Sequence, residues 1–501
     1  MNHLKNKVPA VVDEIWQKLA ASNFQASLVG GCVRDLLLGK KPKDWDITTN
    51  ATPEEILKVF GAVQTFYENV FGTVGVKTGS SDPTLAVVEI TTFRVEGKYS
   101  DWRHPDEVKF AATLEADLKR RDFTINAIAL NLSSHKDQGS KIGAADFKII
   151  DPFGGQSDLK AKLIRTVGKA EDRFREDALR LMRAVRLAVE LGFEIEPTTF
   201  KAMKKLANFI QYISRERVKD ELTRILTRKE AVTGLELLRQ SNLLIEIIPE
   251  LLQAYQVGQN KHHKYDVYTH LLYSLDYACQ KNYPLEIRLA ALLHDIAKPL
   301  TKQGSGPDCT FYNHEIIGAK LVKNILMRLK FPHKIVAKVV HLVRYHMFYL
   351  EIDKVTPSAV RRFVRRAGQE NLEDLFKLRE ADRIGSGVPK AVPYRLRYLK
   401  YLIKKVSIKS ITPQMLKING NEVMEILSIQ PGPKIGWVLK ALIEEVLDDP
   451  SKNKKVYLKK RVAELGQLSE GELKKLALVA EEKKKGIEAE VDRKIKEEYR
   501  V

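Results

Sequence analysis

Two carboxylates one residue apart, Asp44 and Asp46 in Lys43-Asp-Trp-Asp-Ile-Thr48, lie downstream of a glycine pair, Gly30-Gly31. If Trp45 to Thr48 is a strand, residues i and i+2 project from one face of it. Like charges side by side repel, and a two-metal phosphoryl-transfer centre would supply the cations they need. Glycines after a strand let backbone N–H groups approach a phosphate that a Cβ would obstruct. Each feature alone is common, since a glycine pair is usually only a turn and such acids are usually solvated. It is their order, with Arg34-Asp35 between them, that points to nucleotide chemistry. Glu89, in the apolar run Ala86 to Ile90, would complete the acids. Burial there is costly unless the carboxylate is paired or metal-linked, whereas an edge strand would expose it harmlessly.

A second constellation lies in Glu176-Asp-Ala-Leu-Arg-Leu-Met-Arg-Ala-Val-Arg186. Asp177, Arg180, Arg183 and Arg186 stand three apart in a window that reads as helix. Each step of three turns a helix by about 300°, so neighbours share a face while the row drifts round the helix. Guanidinium forks suit triphosphate oxygens. Asp177 with Arg180 could do more. Cytosine and adenine both present an amino donor beside a ring-nitrogen acceptor, which a carboxylate and an arginine would satisfy. Uracil and guanine present the reverse and would set a carbonyl against the carboxylate, a mispairing worth about 1–3 kcal/mol. The competing reading is an i,i+3 helix salt bridge worth about 0.2–0.5 kcal/mol.

A third group is imidazole-rich: His270, His294-Asp295 in Leu289-Ala-Ala-Leu-Leu-His-Asp-Ile-Ala-Lys-Pro299, then His314, His346 and Asp382. In this order it resembles the HD phosphohydrolase superfamily, with His270, His294, Asp295 and Asp382 as ligands and His314 and His346 extending the site. Such donors suit Mn, Fe, Ni or Zn, and carboxylate-richer sites suit Mg. His341 shares a helical window with His346, and His262-His263, in a polar stretch, reads as surface.

Elements must hold these groups. Val8 to Ala21 has helical periodicity, Ala26 to Gly31 reads as a strand entering a turn, and Arg34 to Leu38 as helix. Thr52-Pro53-Glu-Glu is a helix start with Thr52 as N-cap. Thr73–Lys77 and Leu85–Phe93 are β-rich, and 97–107 is a polar loop. This predicts an α+β head over 1–150. Beyond it strand signals fade: a helical neck over 151–255, a helical domain carrying the imidazole cluster over 256–390, and a basic helical tail over 391–501. The Lys- and Glu-rich end is either RNA-facing or a solvated helix.

The head resembles the class II tRNA nucleotidyltransferase and bacterial poly(A) polymerase family, within the polymerase-β-like nucleotidyltransferases. The resemblance runs in family order through Leu28–Thr48, Glu89-Ile-Thr-Thr-Phe-Arg94, Tyr99-Ser-Asp-Trp-Arg-His-Pro105, Arg120-Arg-Asp-Phe-Thr-Ile-Asn-Ala127, Asp151-Pro-Phe-Gly-Gly155 and Phe174–Arg186. It implies a mixed-sheet head with Asp44 and Asp46 as Mg²⁺ ligands. Gly30, Gly31, Arg34, Arg121, Asp122 and Asn126 then belong to the nucleotide site, with Asp177 and Arg180 reading the base. It also implies tRNA, CTP and ATP as partners and addition or repair of the tRNA 3′-CCA end. The loop Phe93 to Arg103 appears in full, which favours CCA or A addition over CC-only enzymes. A poly(A) polymerase or an A-adding-only enzyme is the alternative within the class. A phosphohydrolase with an RNA-binding head is the alternative outside it.

Net charge fits a polyanionic partner: 84 Lys and Arg against 64 Asp and Glu in 501 residues, formally +20. No apolar run is long enough to span a bilayer. The opening residues lack a signal-peptide pattern, and three scattered cysteines suit a reducing compartment, so a cytoplasmic location is expected. Oligomeric state stays open.

Overall fold

The structure, a computed structural model, describes residues 7–61, 64–69, 72–96, 108–111, 113–132, 147–261, 263–348, 355–407 and 415–501. Two compact units divide the chain: 1–346 with 374–389, and 347–373 with 390–501. Thus the described residues of 347–373 belong with the tail in the second unit.

Alternating burial along β5 (Val87–Thr92), with Val88, Ile90 and Thr92 inward, marks a sheet with one face on a core. That sheet has seven strands in the order β3-β4-β5-β2-β1-β8-β9. The strands are β1 (Ala26–Val29), β2 (Asp46–Thr49), β3 (Thr65–Asn69), β4 (Thr73–Lys77), β8 (Ala129–Leu132) and β9 (Phe147–Ile150). A separate hairpin pairs β6 (Arg94–Glu96) with β7 (Val108–Phe110). Only β2 and β5 run parallel, with Asp46 opposite Glu89; the other pairings of the sheet are antiparallel. The mixed sheet of an α+β head is therefore present. The opening helix, α1 (Ala10–Ala21), buries Val12, Ile15, Trp16 and Leu19, and Trp16 Nε1 donates to Ala26 O on β1 at 2.8 Å. In α3 (Pro53–Phe60) Thr52 and Glu55 form the reciprocal cap its sequence suggests, following α2 (Gly31–Leu37).

After α4 (Leu114–Lys119) comes a tight junction with α5 (Gly155–Ala161). A Cβ on Gly155 would stand 2.2 Å from the carbonyl oxygen of Thr124, so only glycine lets these segments meet. Two short parallel strands, β10 (Leu163–Ile164) and β11 (Glu194–Ile195), then bracket α6 (Ala170–Glu176) and α7 (Leu179–Leu191). The neck continues through α8 (Pro197–Leu206), α9 (Arg215–Leu226) and α10 (Ala231–Gln240). α9 buries Val218, Leu222 and Ile225 and packs on α7.

The imidazole-bearing part is helical: α11 (Val267–Gln280), α12 (Leu285–Leu293), α13 (Lys298–Thr301), α14 (His314–Arg328), α15 (His333–Tyr345) and α17 (Leu372–Gly385). α12 buries every residue from Ile287 to Leu293, as a helix enclosed by others must. The second unit holds α16 (Pro357–Ala367) and α18 (Tyr394–Ser407), and in it α19 (Gly420–Leu427), α20 (Pro433–Asp448), α21 (Lys455–Gly466) and the 30-residue α22 (Glu470–Tyr499) enclose a core around Val423, Val438, Leu442, Leu458 and Val462. No helix among the described residues is long and apolar enough to cross a membrane.

Candidate active site

The parallel pairing of β2 with β5 puts Asp46 beside Glu89, and the Glu89 N–H donates to Trp45 O at 3.0 Å. Asp44 does not share the strand as expected. β2 begins at Asp46, and Asp44 lies in the bend before it. The acids still converge: burial, then the charges of Asp44 and Glu89, push the Asp46 carboxyl up to about 7, against the pull of Arg121 and Arg183. Three carboxylates so placed make a site that a cation would relieve. Gly30, at φ +77°, turns the chain beneath them; a Cβ there would stand 3.1 Å from Arg121 Nη1 and 3.2 Å from Asp46 Oδ2. The same construction at Gly31 meets Arg34 Nη2 at 3.6 Å and Asp44 Oδ1 at 3.7 Å.

Arginines surround the acids through a continuous relay. Arg34 donates to Asn126 Oδ1 at 2.8 Å, and Asn126 donates to Asp122 Oδ1 at 3.1 Å. Asp122 Oδ2 accepts from Arg183 at 2.9 and 2.7 Å. Burial would raise the Asp122 carboxyl, but Arg183 and Arg180 hold it down at about 2. Asp117, absent from the sequence reading, lies fully buried beneath and binds Arg120 at 2.7 Å and Arg121 at 3.2 Å. Its signal was the i,i+3 and i,i+4 spacing to those arginines. Arg121 Nε is buried without a partner among the described residues, a donor aimed where an anion would be welcome.

The window around Asp177 departs from expectation. Helix α6 ends at Glu176, Asp177 is extended (φ −138°, ψ 106°), and α7 starts at Leu179. The i,i+3 bridge to Arg180 is not formed. Asp177 Oδ1 accepts the Leu179 N–H at 3.0 Å, and Oδ2 accepts Arg217 Nη2 from α9 at 3.0 Å. Arg180 instead pairs with Glu176 at 2.5 Å and donates to the carbonyls of Arg173 and Arg120. Arg186 takes other partners: Glu221 at 2.6 Å and Glu190 at 2.8 Å engage it. The polar loop at 97–107 with its Tyr99–Pro105 motif, and His262, lie outside the described residues.

In the helical part six expected residues meet, all buried: His270, His294, Asp295, His314, His346 and Asp382. Asp266 caps α11 and so sets His270 one turn in. His294 and His346 end their helices, and His314 begins one. Nδ1 of His294, His314 and His346 lies 3.0, 2.6 and 2.7 Å from the carbonyls of Ala291, Phe311 and Val343. With Nδ1–H donating there, Nε2 carries the lone pair inward. His270 and His294 then bring Nε2 atoms within 3.0 Å, with Asp295 Oδ2 at 3.2 and 3.3 Å and Asp382 Oδ1 at 3.5 and 3.6 Å. Donors about 2.1 Å from one ion stand roughly 3.0–3.4 Å apart, so the set fits a metal.

A second group shares Asp295: its Oδ1 lies 3.2 Å from His314 Nε2 and 3.5 Å from His346 Nε2, yet none of the three atoms makes a hydrogen bond. Orphaned buried atoms of this kind are what a cation would satisfy. Residues that the sequence reading missed close the site. The Lys298 ammonium sits 2.6 Å from Asp295 Oδ2, three residues along, and Arg379 sits 2.5 Å from Asp382, three residues before it. His263 is half-buried rather than fully exposed: it packs edge-on against His270, 5.1 Å between centroids, and bonds Ser386. Burial and then the Lys298 charge press it down to about 3. His341 stands apart, against Tyr345.

Comparison with known proteins agrees with this arrangement. Residues 26–165 match the poly A polymerase head domain, 192–255 a probable RNA and SrmB-binding site of polymerase A, and 267–386 the HD domain. The chain is 34% identical to an A-adding tRNA nucleotidyltransferase of Deinococcus radiodurans, over 84% of this chain and 91% of the relative. It is 33% identical to a CCA-adding enzyme of Lactococcus lactis, over 88% and 93%. A crystal structure of the Bacillus stearothermophilus CCA-adding enzyme in complex with CTP superposes with TM-score 0.56 at 29% identity, covering 91% of this chain and 98% of that one. Head, RNA-binding segment and HD domain thus follow one another as in these relatives along nearly their whole length, and the chain belongs to the CCA-adding and A-adding tRNA nucleotidyltransferase family, enzymes that use divalent metal.

Proposed function

We propose that this chain adds or repairs the 3′-terminal CCA of tRNA from CTP and ATP without a nucleic-acid template, in the cytoplasm. The observation that carries the reading is the convergence of Asp44, Asp46 and Glu89 with Arg34 and Arg121. Asp44 and Asp46 would hold the divalent ions, Mg²⁺ in this reading, which favour attack by the primer 3′-hydroxyl on the α-phosphate and stabilise the pyrophosphate that leaves. Gly30 and Gly31 let the triphosphate approach the backbone, and Arg34 and Arg121 offer donors to its oxygens. Asn126, and behind it Asp122 and Arg183, keep Arg34 in place, and Asp117 holds Arg121. Asp177 and Arg180 read the pairing edge of the base; Arg186 anchors α7 to α9.

Addition of two C residues to tRNA lacking its end, with CTP as the sole nucleotide, tests this. Addition of A alone, and only to tRNA already ending in CC, would make the chain an A-adding enzyme. Long A tails would make it a poly(A) polymerase.

A second activity is favoured by Asp295, whose two oxygens face separate histidine pairs. We assign a phosphohydrolase there, with His270, His294, Asp295 and Asp382 holding one divalent ion and Asp295, His314 and His346 a second, of Mn, Ni, Fe or Mg. Such ions lower the pKa of bound water. Lys298 would then pair with the phosphoester's negative charge. Exposed Arg361, Arg362, Arg365 and Arg366 on α16, with Tyr394 and Tyr398 stacked 6.0 Å apart on α18, favour the second unit as a tRNA-backbone contact.

A further inference from the structure

Asp177 has both carboxylate oxygens engaged, one by its own turn and one from a different helix. Oδ1 accepts the Leu179 N–H, and Oδ2 accepts Arg217, each at 3.0 Å. Arg217 and Glu221 are one turn apart on α9 and share a face. Glu221 reaches Arg186 at 2.6 Å, so two ion pairs tie α9 to the two ends of the Asp177–Arg186 segment. Their polarity is opposite: base to acid at one end, acid to base at the other. Sliding the helices past one another would oppose like charges, so the pairs fix a single register.

An ionised carboxylate has about four lone-pair sites. With two in use, each Asp177 oxygen keeps one for an incoming donor, and its side chain stays 17% exposed. Rejection of a carbonyl depends on that oxygen being unable to turn away. An untethered aspartate would rotate to another well and escape the repulsion, while still accepting from an amino group when one is offered. The tether therefore matters more for discrimination than for attraction.

We propose that Arg217 is a positioning residue for nucleotide choice: it holds the Asp177 carboxylate in direction and so sets the preference for C and A over U and G. The proposal rests on the reading of Asp177 given above, and the experiment separates the two. Full-length Arg217→Gln, Arg217→Lys, Asp177→Ala and the Arg217→Gln/Asp177→Ala double variant are assayed with tRNA lacking its CCA and each of the four nucleotides. kcat and KM are measured separately, and thermal unfolding reports the fold. In Arg217→Gln the ratio of kcat/KM for CTP over UTP falls roughly tenfold, the scale of one interaction of about 1.4 kcal/mol. Arg217→Lys recovers part of the ratio, and the double variant matches Asp177→Ala. If Arg217→Gln fails to fold, Arg217→Lys carries the comparison with a partial fall.

An equal loss for all four nucleotides, with the ratio intact, overturns the proposal and leaves Arg217 a strut between helices. So do additive losses in the double variant. Asp177→Ala relaxing selectivity while Arg217→Gln leaves it unchanged overturns the proposal alone. Unchanged selectivity in Asp177→Ala overturns the underlying reading of Asp177 as well.

Discussion

At the scale of single residues, Asp46 is a side chain at odds with its surroundings. Burial and two neighbouring carboxylates raise it to about 7, a penalty that a divalent ion would remove. Asp46→Ala is expected to lower nucleotide addition by orders of magnitude while filter-binding to tRNA persists, because metal chemistry and phosphate-backbone contacts are separate contributions. Addition at the unaltered rate would exclude the two-metal assignment. Asp122 is the opposite case. Despite burial, Arg183 and Arg180 hold it at about 2, below an ordinary carboxyl at about 3.9. A depressed pKa contributes stability that is present above the unfolded value and is lost as pH falls through the folded one. The acid limb of the unfolding curve should therefore steepen between pH of about 4 and about 2, and Asp122→Asn should flatten it, removing about 2 kcal/mol at neutral pH. Identical acid limbs for the two proteins would refute the pairing.

At the scale of elements, the junction of Gly155 with Thr124 makes packing a matter of one missing methyl. Gly155→Ala would force a Cβ to 2.2 Å from a backbone oxygen, with Ile128 side-chain atoms at 2.7 and 2.9 Å. An overpacking cost of about 1–3 kcal/mol is expected, read as a lower melting temperature. KM for CTP should rise with it, since Thr124 neighbours the Asp122–Asn126 relay. An unchanged melting temperature would mean the junction can yield. The same distinction between local and distant causes explains what was legible beforehand. Gly30-Gly31, Asp44 and Asp46, Thr52-Pro53 and His294-Asp295 were readable because short spacings carry their geometry. The break at Asp177 was not: no residue of Glu171–Arg186 is a Gly or Pro. It is accompanied by an arginine 40 residues away, which no local pattern announces. His263 was misplaced for a similar reason, since its polar neighbours hide that it packs on His270. Asp44 lies off the strand because pairing with β5 begins at Asp46, two residues on.

At the scale of the whole chain, the head acids Asp44, Asp46 and Glu89 and the imidazole cluster around Asp295 share no side chain among the described residues. His294→Ala should abolish hydrolysis of a 2′,3′-cyclic phosphate end and leave CTP addition to tRNA close to the unaltered rate. Loss of both activities in a protein that still melts cooperatively would mean the clusters act as one site. The oppositely polarised ion pairs between α9 and the Asp177–Arg186 segment bear on ancestry as well. A charge reversal or deletion at one partner strands the other, so such residues are expected to change together or not at all as sequences diverge. Positions 177 and 217 should form one covarying pair and 186 and 221 another. A lineage that gave up choosing its nucleotide could then discard the first pair and still inherit the second.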